Sequence, residues 1–286
     1  MPSPRVTVII ATYNWSTVLP FAVDSVLGQT LGDFELLVVG DGCTDDTEQV
    51  VSAIRDPRVR WINLPANTGH QSGPNNRGLE EARGEFIAYL GHDDLWLKHH
   101  LECSIAGLEE SAADISHTLL MRVMPEADIG LPVLPKPELR HGGPPSCRVH
   151  RRRVSEKIGG WRDYRGLGIP PETDFFSRAQ DAGFAPVFVP RLTAIKFPAA
   201  RRKDAYRNRP SHEQKKWSQR ITSEPDFENA QLVRMIQAMA SEVPQAMPVR
   251  RLFETFTNEI AKRALARFKR GQSAEEIERF KKFKGL

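Results

Sequence analysis

The chain has 286 residues and a mass of 32.2 kDa, with 40% hydrophobic residues, 27% charged residues and a mean hydropathy of -0.43. These values are typical of a soluble globular protein and exclude collagen-like, disordered and integral-membrane classes. The formal net charge of +4 combines an acidic first hundred residues with a basic region after residue 200. The three cysteines include no C-x-x-C pair, which indicates a reducing, cytoplasmic compartment.

The first hundred residues alternate strand-like and helix-like segments. Apolar and β-branched runs predict buried parallel strands at 6–11, 34–39, 58–63 and 86–90, and apolar residues at helical spacing predict helices at 16–30, 44–54, 75–83 and 98–111. This order predicts an α/β fold in which helices cover both faces of a mostly parallel, twisted sheet. Such sheets bind ligands at the carboxyl ends of their strands.

The pattern changes after a further predicted strand at 114–123. The proline-rich residues 125–145 predict a loop or an insertion. The next segments predict a helix at 148–158, a helix at 172–182, a short strand at 186–189 and a mobile basic segment at 198–216. An apolar stripe at 249–268 and a capping box at 273–276 predict a helical tail. The chain is therefore expected to divide into one domain at 1–215 and a basic helical extension at 216–286.

Four short polar segments lie where this sheet would bind its ligand. They are Ala11-Thr12-Tyr13-Asn14 after the first strand, Gly40-Asp41-Gly42-Cys43-Thr44-Asp45 after the second, Gly91-His92-Asp93-Asp94 after the fourth, and Pro171-Glu172-Thr173-Asp174 at a helix start. Each segment alone is a weak signal, because turns and helix caps use the same residue types. Chemically, such carboxylates can bind a hard divalent cation or accept a proton.

The order of these segments resembles the inverting family 2 glycosyltransferases of the GT-A fold. Val6–Asn14 matches the family's opening strand V-S-V-I-I-P-T-Y-N, and Ser25–Thr30 matches its helix end S-V-L-x-Q-T. Phe34–Asp45 matches its turn F-E-L-L-V-V-D-D-G-S-T-D, and Asn76–Asp94 matches its block from N-x-G to D-x-D-D. The resemblance is strong over residues 5–110, loose to about 195 and absent in the tail. It implies the GT-A (nucleotide-diphospho-sugar transferase) fold with a helical carboxyl-terminal extension.

The resemblance also implies an activity and roles for individual residues. It implies transfer of a sugar from a nucleoside diphosphate donor, with UDP or dTDP favoured, to a hydroxyl of a glycan or lipid-linked acceptor in surface polysaccharide synthesis. Asp94 corresponds to the metal-binding carboxylate, with Mn2+ or Mg2+ as cofactor. Glu172 corresponds to the general base, and Asp174 is its rival for that role. Donor contacts are expected at Ala11, Thr12, Tyr13, Asp41, His70, Asn76 and Asp93.

Departures from the family pattern leave alternatives open. Gly91 stands where the first carboxylate of D-x-D-D is usual, so the metal site is thinner and a non-catalytic nucleotide-sugar or glycan-binding relative remains an alternative. Gly40 and Cys43 also depart from the pattern, but neither removes Asp41. A sugar-phosphate nucleotidylyltransferase would need a Gly-rich loop with Lys or Arg near the first strand, and a dehydrogenase would need G-x-G-x-x-G there.

The basic segments allow two interpretations. Arginines at 151–153 and 201–209 could clamp a diphosphate, or those at 151–153 could simply cover a helix face. The tail stripe favours packing against the catalytic domain over a peripheral contact with the inner face of a membrane, although a basic amphipathic helix suits both. Nucleic-acid binding has no support beyond charge.

Overall fold

The computed structural model describes residues 3–125, 130–133, 143–202, 205 and 212–242. The strands are β1 (Val6–Thr12), β2 (Phe34–Gly40), β3 (Val59–Asn63), β4 (Phe86–Gly91), β5 (Leu95–Trp96), β6 (Ile115–Val123), β7 (Gly130–Val133), β8 (Arg148–Arg151) and β9 (Pro186–Lys196). The α-helices are α1 (Leu19–Leu27), α2 (Thr47–Ser52), α3 (Ser72–Glu81), α4 (His100–Glu110), α5 (Arg152–Ile158), α6 (Pro171–Asp181), α7 (His212–Ser223) and α8 (Phe227–Glu242). Short 3-10 turns lie at Pro145–Cys147, Tyr164–Gly166 and Ala199–Arg201.

The strands form one sheet in the order β3-β2-β1-β4-β8-β6-β9-β5, and β7 pairs with the far end of β6. The first four strands in this order run parallel, as do β6 and β9. Strand β8 runs antiparallel between β4 and β6 and joins the two parallel parts. The predicted α/β fold with a parallel-dominated sheet is confirmed.

Helices cover both faces of the sheet, which explains why its central strands read as continuous apolar runs. Side chains alternate between faces along a strand, so Val8 and Ile10 pack on the face that carries α1 and α4, while Ile9 packs on the face that carries α5 and α6. Both sets are fully buried. This sandwiched core fixes where each strand ends, and therefore where the polar segments lie.

Three segments differ from the sequence prediction. Residues 148–158 form β8 followed by α5 instead of one helix, because Val149 and His150 are fully buried in ladders with β4 and β6. Strand β9 runs on to Lys196 instead of ending at residue 189, since Ala194 and Ile195 pair with β5 and β6. Within the proline-rich segment, residues 130–133 form β7.

The last described helices pack on the sheet. Trp217 of α7 and Phe227 of α8 are buried in a cluster with Leu192 and Ile195 of β9. The predicted boundary after residue 215 therefore falls inside α7, while the predicted stripe and capping box lie outside the described residues, so the two-domain division stays a prediction. Among the helices that the structure describes, none is long and apolar enough to cross a membrane.

Candidate active site

The ends of β1, β2 and β4 meet at one edge of the sheet. The β1–β2 register pairs Thr12 with Gly40, and the β1–β4 register pairs Ala11 with Gly91. Neighbouring strands lie about 4.8 Å apart, and the Asp41 amide donates to the Thr12 carbonyl at 2.8 Å. The structure thus brings together most of the residues selected from the sequence: Ala11, Thr12, Tyr13, Asp41, Asp93 and Asp94.

The turn after β2 keeps its shape through Asn14 and Gly42. Asn14 adopts a φ of 46°, and its Oδ1 accepts hydrogen bonds from the amides of Thr44 at 2.7 Å and Asp45 at 3.2 Å. Gly42 has a φ of 70°, and a Cβ there would lie 2.5 Å from the Asn67 amide nitrogen. Only glycine fits this position, so the backbone that presents Asp41 is fixed by its local sequence.

The loop before α3 binds the Asp41 carboxylate. Oδ1 of the buried Asp41 accepts from the Thr68 amide at 2.9 Å and the Thr68 hydroxyl at 2.7 Å, and Oδ2 accepts from the Gly69 amide at 3.2 Å. A carboxylate offers about four lone-pair sites, which leaves one acceptor position for an N–H group of a ligand. Tyr13, 39% exposed, lies at the same strand edge.

The same loop is held from the other side by the 3-10 turn Tyr164–Gly166. The rings of His70 and Tyr164 lie 5.1 Å apart between centroids, and Arg165 donates to the Thr68 carbonyl at 2.8 Å. His70 also lies with its Nδ1 3.3 Å from the Ser72 hydroxyl. No sequence motif marks the turn at 164–166, because its role depends on contacts made about a hundred residues away.

Asn76, selected from the sequence as a donor contact, links α3 to the turn before α6. Its Nδ2 donates to the Trp161 carbonyl and its Oδ1 accepts from the Trp161 amide, both at 2.8 Å. Both ends of the amide are therefore engaged with backbone. In this arrangement Asn76 positions the turn at 159–161 and is committed to a structural link.

Asp94 is fully buried, and its carboxylate has three partners. Oδ2 accepts from the Ser146 hydroxyl at 2.6 Å and from the Lys196 ammonium at 3.0 Å, while Oδ1 accepts from the Phe197 amide at 3.2 Å. Burial opposes ionisation of Lys196, but the nearby charges of Asp94 and Asp93 outweigh it and hold the pKa of Lys196 above its usual value. The result is a buried ion pair at the tip of β4.

These contacts do not fit the predicted divalent-cation site. Mn2+ and Mg2+ at phosphate-binding sites are held by one or two carboxylates together with substrate phosphates and water, and the part of the chain that the structure describes contains no group of three His, Cys, Asp or Glu side chains that could hold a metal without such a substrate. At position 91, a Cβ would lie only 2.8 Å from Asp94 Oδ2. The lone pairs that a cation would use on Asp94 instead face an ammonium, a hydroxyl and an amide.

The two carboxylates at the start of α6 have different surroundings. Asp174 is buried, accepts from Arg178 Nε at 2.8 Å and lies 3.4 Å from a guanidinium nitrogen of Arg162. Glu172 is partly exposed and accepts from Gln71 Nε2 at 3.4 Å. Because Arg178 also donates to two backbone carbonyls, Asp174 belongs to a structural network. Glu172 is the carboxylate in contact with the loop that binds Asp41.

Arg148 is a buried cation that no motif marks. It is 2% exposed, and its Nε and Nη2 have no hydrogen-bond partner among the residues that the structure describes. Its guanidinium carbon lies 4.1 Å from the ring centroid of Phe176, one turn after Glu172 in α6. Burial lowers the pKa of Arg148, and the charge of Glu172 acts in the opposite direction. The sequence at 148–153 predicts a basic helix, and only the strand pairing seen in the structure assigns Arg148 to β8 instead.

The predicted arginine clamps are paired with protein groups. Arg151 binds Glu85 at 2.8 Å, and Arg153 binds Asp114 at 2.5 Å, next to the start of β6. Glu85 immediately precedes β4, so Arg151 lies at the amino edge of the sheet, opposite the candidate site. In the other segment, Arg202 forms an ion pair with Glu213. Half of the predicted clamp arginines at 201–209 lie outside the described residues, so the predicted mobility of 198–216 stays a prediction.

Together, this strand order and the polar carboxyl edge define a protein of the GT-A, or nucleotide-diphospho-sugar transferase, fold. The Staphylococcus aureus TarS 1-349 structure in complex with UDP-GlcNAc is similar, with a TM-score of 0.58 and 19% identity over 79% of this chain and 68% of that one. Mannosyltransferase PcManGT from Pyrobaculum calidifontis, in complex with GDP-Man and Mn2+, has a TM-score of 0.55 and 16% identity over 90% of this chain and 80% of that one.

Residues 7–131 match the family model described as Glycosyl transferase family 2. An uncharacterized glycosyltransferase of Nostoc is 38% identical over 34% of this chain and 31% of its own length. The GalNAc(5)-diNAcBac-PP-undecaprenol beta-1,3-glucosyltransferase of Campylobacter jejuni is 32% identical over 39% of this chain and 37% of its own length. The match therefore spans only about a third of the length of each of these relatives.

Proposed function

We propose that the protein is an inverting glycosyltransferase that moves a sugar from a nucleoside diphosphate donor to a hydroxyl of a glycan or lipid-linked acceptor. One observation carries this proposal: a single loop contacts both the donor-recognition carboxylate and the catalytic carboxylate. Thr68 and Gly69 bind Asp41, and Gln71, two residues further, binds Glu172. Recognition of the donor and deprotonation of the acceptor are thereby brought to adjacent positions.

In the proposed reaction, Glu172 accepts the proton of the acceptor hydroxyl while its oxygen attacks the anomeric carbon. The bond from that carbon to the diphosphate oxygen breaks on the opposite face, its electron pair leaves with the nucleoside diphosphate, and the anomeric configuration inverts. The partial exposure of Glu172 suits a base that must reach substrate, whereas the ion-paired Asp174 is held in the protein. This assigns Glu172 as the catalytic residue and Asp174 as a structural one.

For the donor, Asp41 and Tyr13 would bind the base: the remaining lone pair of Asp41 accepts an N–H group, as in uracil or thymine, and Tyr13 offers a stacking surface. UDP-linked donors are supported by the TarS complex, whose ligand is UDP-GlcNAc. A lipid-linked acceptor is supported by the Campylobacter relative, which is named for an undecaprenol-linked substrate. We propose accordingly that the enzyme acts in surface polysaccharide synthesis, at the cytoplasmic face of a membrane.

Transfer from UDP- and dTDP-sugars to polyprenyl-diphosphate-linked saccharides tests the proposal, with the anomeric configuration of the product read by NMR. Glu172→Gln should lower transfer by at least about a thousandfold, because general-base catalysis contributes on that order, and should change UDP affinity by less than about threefold. A retained configuration, or an active Glu172→Gln variant, would contradict the mechanism. Tight UDP binding without turnover on any donor and acceptor pair would favour the non-catalytic alternative.

Gln71→Leu is the matched variant that removes the contact but leaves the carboxylate. We expect a moderate loss of transfer, about tenfold, because Glu172 loses its link to the donor loop and therefore part of its positioning. UDP affinity should stay within about twofold, since Asp41 keeps its partners. A loss equal to that of Glu172→Gln would instead mean that Gln71 itself contacts substrate.

A further inference from the structure

A cavity of about 90 Å³ lies beside the turn that follows β4. Among the residues that the structure describes, its apolar wall consists of Trp15, Phe197, Ala199 and Ala205, and Trp15 packs with both alanines. All four residues are at most 6% exposed. No sequence motif marks this cavity, because the tryptophan and the other three residues are far apart in the chain.

Asp93 connects the cavity to the candidate active site. It lines the cavity, and its Oδ1 lies 3.2 Å from the position that a Cβ of Gly91 would take at the end of β4. The neighbouring walls are bound to the same turn: the Phe197 amide donates to Asp94 Oδ1, and Gln214 Nε2 donates to the Asp93 carbonyl, both at 3.2 Å. A sugar held at the end of β4 therefore lies next to the cavity.

The charged side chains of the cavity wall are engaged with other protein groups. Arg202 donates to both carboxylate oxygens of Glu213 and to the carbonyls of Pro198 and Val123. A sugar hydroxyl that enters such a cavity gives up hydrogen bonds to water without replacing them fully, which costs free energy. Burial of an apolar group is favourable there. The cavity therefore favours an apolar substituent of a sugar over a hydroxyl.

The size of the cavity indicates which substituent it accepts. A cavity that holds one water molecule measures about 10–15 Å³, so about 90 Å³ accepts a group of several non-hydrogen atoms and exceeds what the single methyl of a 6-deoxy sugar needs. An acetamido group has this size, and its N–H group is a donor for a carboxylate such as that of Asp93. Its methyl group suits the wall formed by Trp15 and Phe197.

We propose that this cavity binds the acetamido group of a 2-acetamido sugar, so that the enzyme prefers such a substrate over the corresponding 2-hydroxy sugar. The inference rests on the proposed function and specifies its substrate class. The acetamido group belongs to the transferred sugar or to the acceptor sugar, and the two sources are distinguished by experiment.

Transfer assays with paired substrates test the inference. As donors, UDP-GlcNAc and UDP-GalNAc are compared with UDP-glucose and UDP-galactose, and as acceptors, GlcNAc-terminated polyprenyl diphosphates are compared with glucose-terminated ones. We expect kcat/KM to favour the acetamido substrate by at least about tenfold in either the donor or the acceptor comparison, as for other small groups in apolar pockets. Ratios below about tenfold in both comparisons would overturn the inference.

Ala199→Leu fills the cavity and connects the preference to it. We expect kcat/KM for the acetamido substrate to fall by at least about tenfold and that for the 2-hydroxy substrate to stay within about threefold, so the preference is lost. Ala53→Leu, at the exposed end of α2, is the matched control and should keep the wild-type preference. If circular dichroism shows that Ala199→Leu is misfolded, the smaller change Ala199→Val gives the same comparison.

The acetyl methyl resonance of the bound substrate provides a measurement that does not depend on turnover. It should shift upfield with the wild type, because the Trp15 and Phe197 rings line the cavity, and it should not shift with Ala199→Leu. A folded Ala199→Leu variant that keeps the acetamido preference, or an unshifted methyl resonance with the wild type, would overturn the inference alone. Absence of UDP binding and of transfer with every substrate pair would overturn the proposed function together with the inference.

Discussion

Replacing Arg148 by methionine is expected to make the folded protein more stable. Arg148 is 2% exposed, and two of its guanidinium nitrogens lack hydrogen-bond partners within the described part of the chain. A buried ion without a partner costs several kcal/mol after relaxation, and each unsatisfied N–H adds about 1–3 kcal/mol. The contact between the guanidinium and the Phe176 ring, at 4.1 Å, stabilises the folded protein by about 2 kcal/mol.

The net effect follows from these opposing contributions. Methionine keeps an unbranched apolar side chain against Phe176 and removes the unpaired charge. We expect the free energy of unfolding to rise by about 2 kcal/mol, which corresponds to an increase in Tm of about 4 °C for a chain of this size. Urea unfolding followed by tryptophan fluorescence and circular dichroism measures the change.

Arg178 provides a control of opposite sign. It is also a largely buried arginine near a phenylalanine ring, but its guanidinium binds Asp174 and the carbonyls of Ile158 and Gly160. Arg178→Met should lower the free energy of unfolding by about 3–5 kcal/mol, because it breaks a buried pair. If Arg148→Met also destabilises the protein by more than about 1 kcal/mol, the reasoning that Arg148 is held at a cost to stability is refuted.

Three further predictions concern the scaffold of the site. Gly91→Ala should cost about 1–3 kcal/mol of stability, because its Cβ would lie 2.8 Å from a fixed carboxylate oxygen, whereas Gly32→Ala, with nothing within 4 Å, should have little effect in the same urea titration. Glu35→Gln should cost about 3 kcal/mol, because the buried carboxylate accepts four hydrogen bonds of 2.8 Å or less. Glu109→Gln, at an exposed ion pair, should stay within about 0.5 kcal/mol. Burial lowers the pKa of His100 to about 3 in the folded protein, whereas a histidine in the unfolded chain is protonated below about pH 6.5. Protonation therefore favours the unfolded chain as the pH falls, and this residue alone should remove about 2 kcal/mol of stability between pH 7 and pH 5. His100→Gln should flatten the measured pH dependence by that amount.

Local sequence predicted the first half of the fold well, for a physical reason. Strands β1 to β4 lie in a sheet covered on both faces, so nearly every residue in them is buried and the apolar runs are unbroken. Strand β8 has no such signal. Its alternating residues Arg148, Val149 and His150 are buried through pairing with strands distant in sequence, and three consecutive arginines after them favour a helix.

In the candidate site, the carboxylates could be predicted from the sequence but their partners could not. Asp41 was identifiable because it directly follows a buried strand, Asp94 because it lies in the turn after one, and Glu172 because it lies in the first turn of a helix. The partners that determine what these carboxylates can do come from elsewhere in the chain. Thr68 binds Asp41 from a loop with no distinctive composition, and Lys196 reaches Asp94 only because β9 continues seven residues beyond the predicted strand end.

Gly91 and Lys196 both determine the surroundings of the Asp94 carboxylate. An aspartate at position 91 would bring a carboxylate against Asp94 Oδ2, where even a Cβ lies at 2.8 Å, and like charges that close together disfavour each other's ionisation. With glycine at 91, Asp93 and Asp94 are the carboxylates at the tip of β4, and the Lys196 ammonium pairs with the buried Asp94. The glycine therefore leaves room for the Asp94 carboxylate beside the end of β4, and the lysine supplies the charge that pairs with this buried carboxylate.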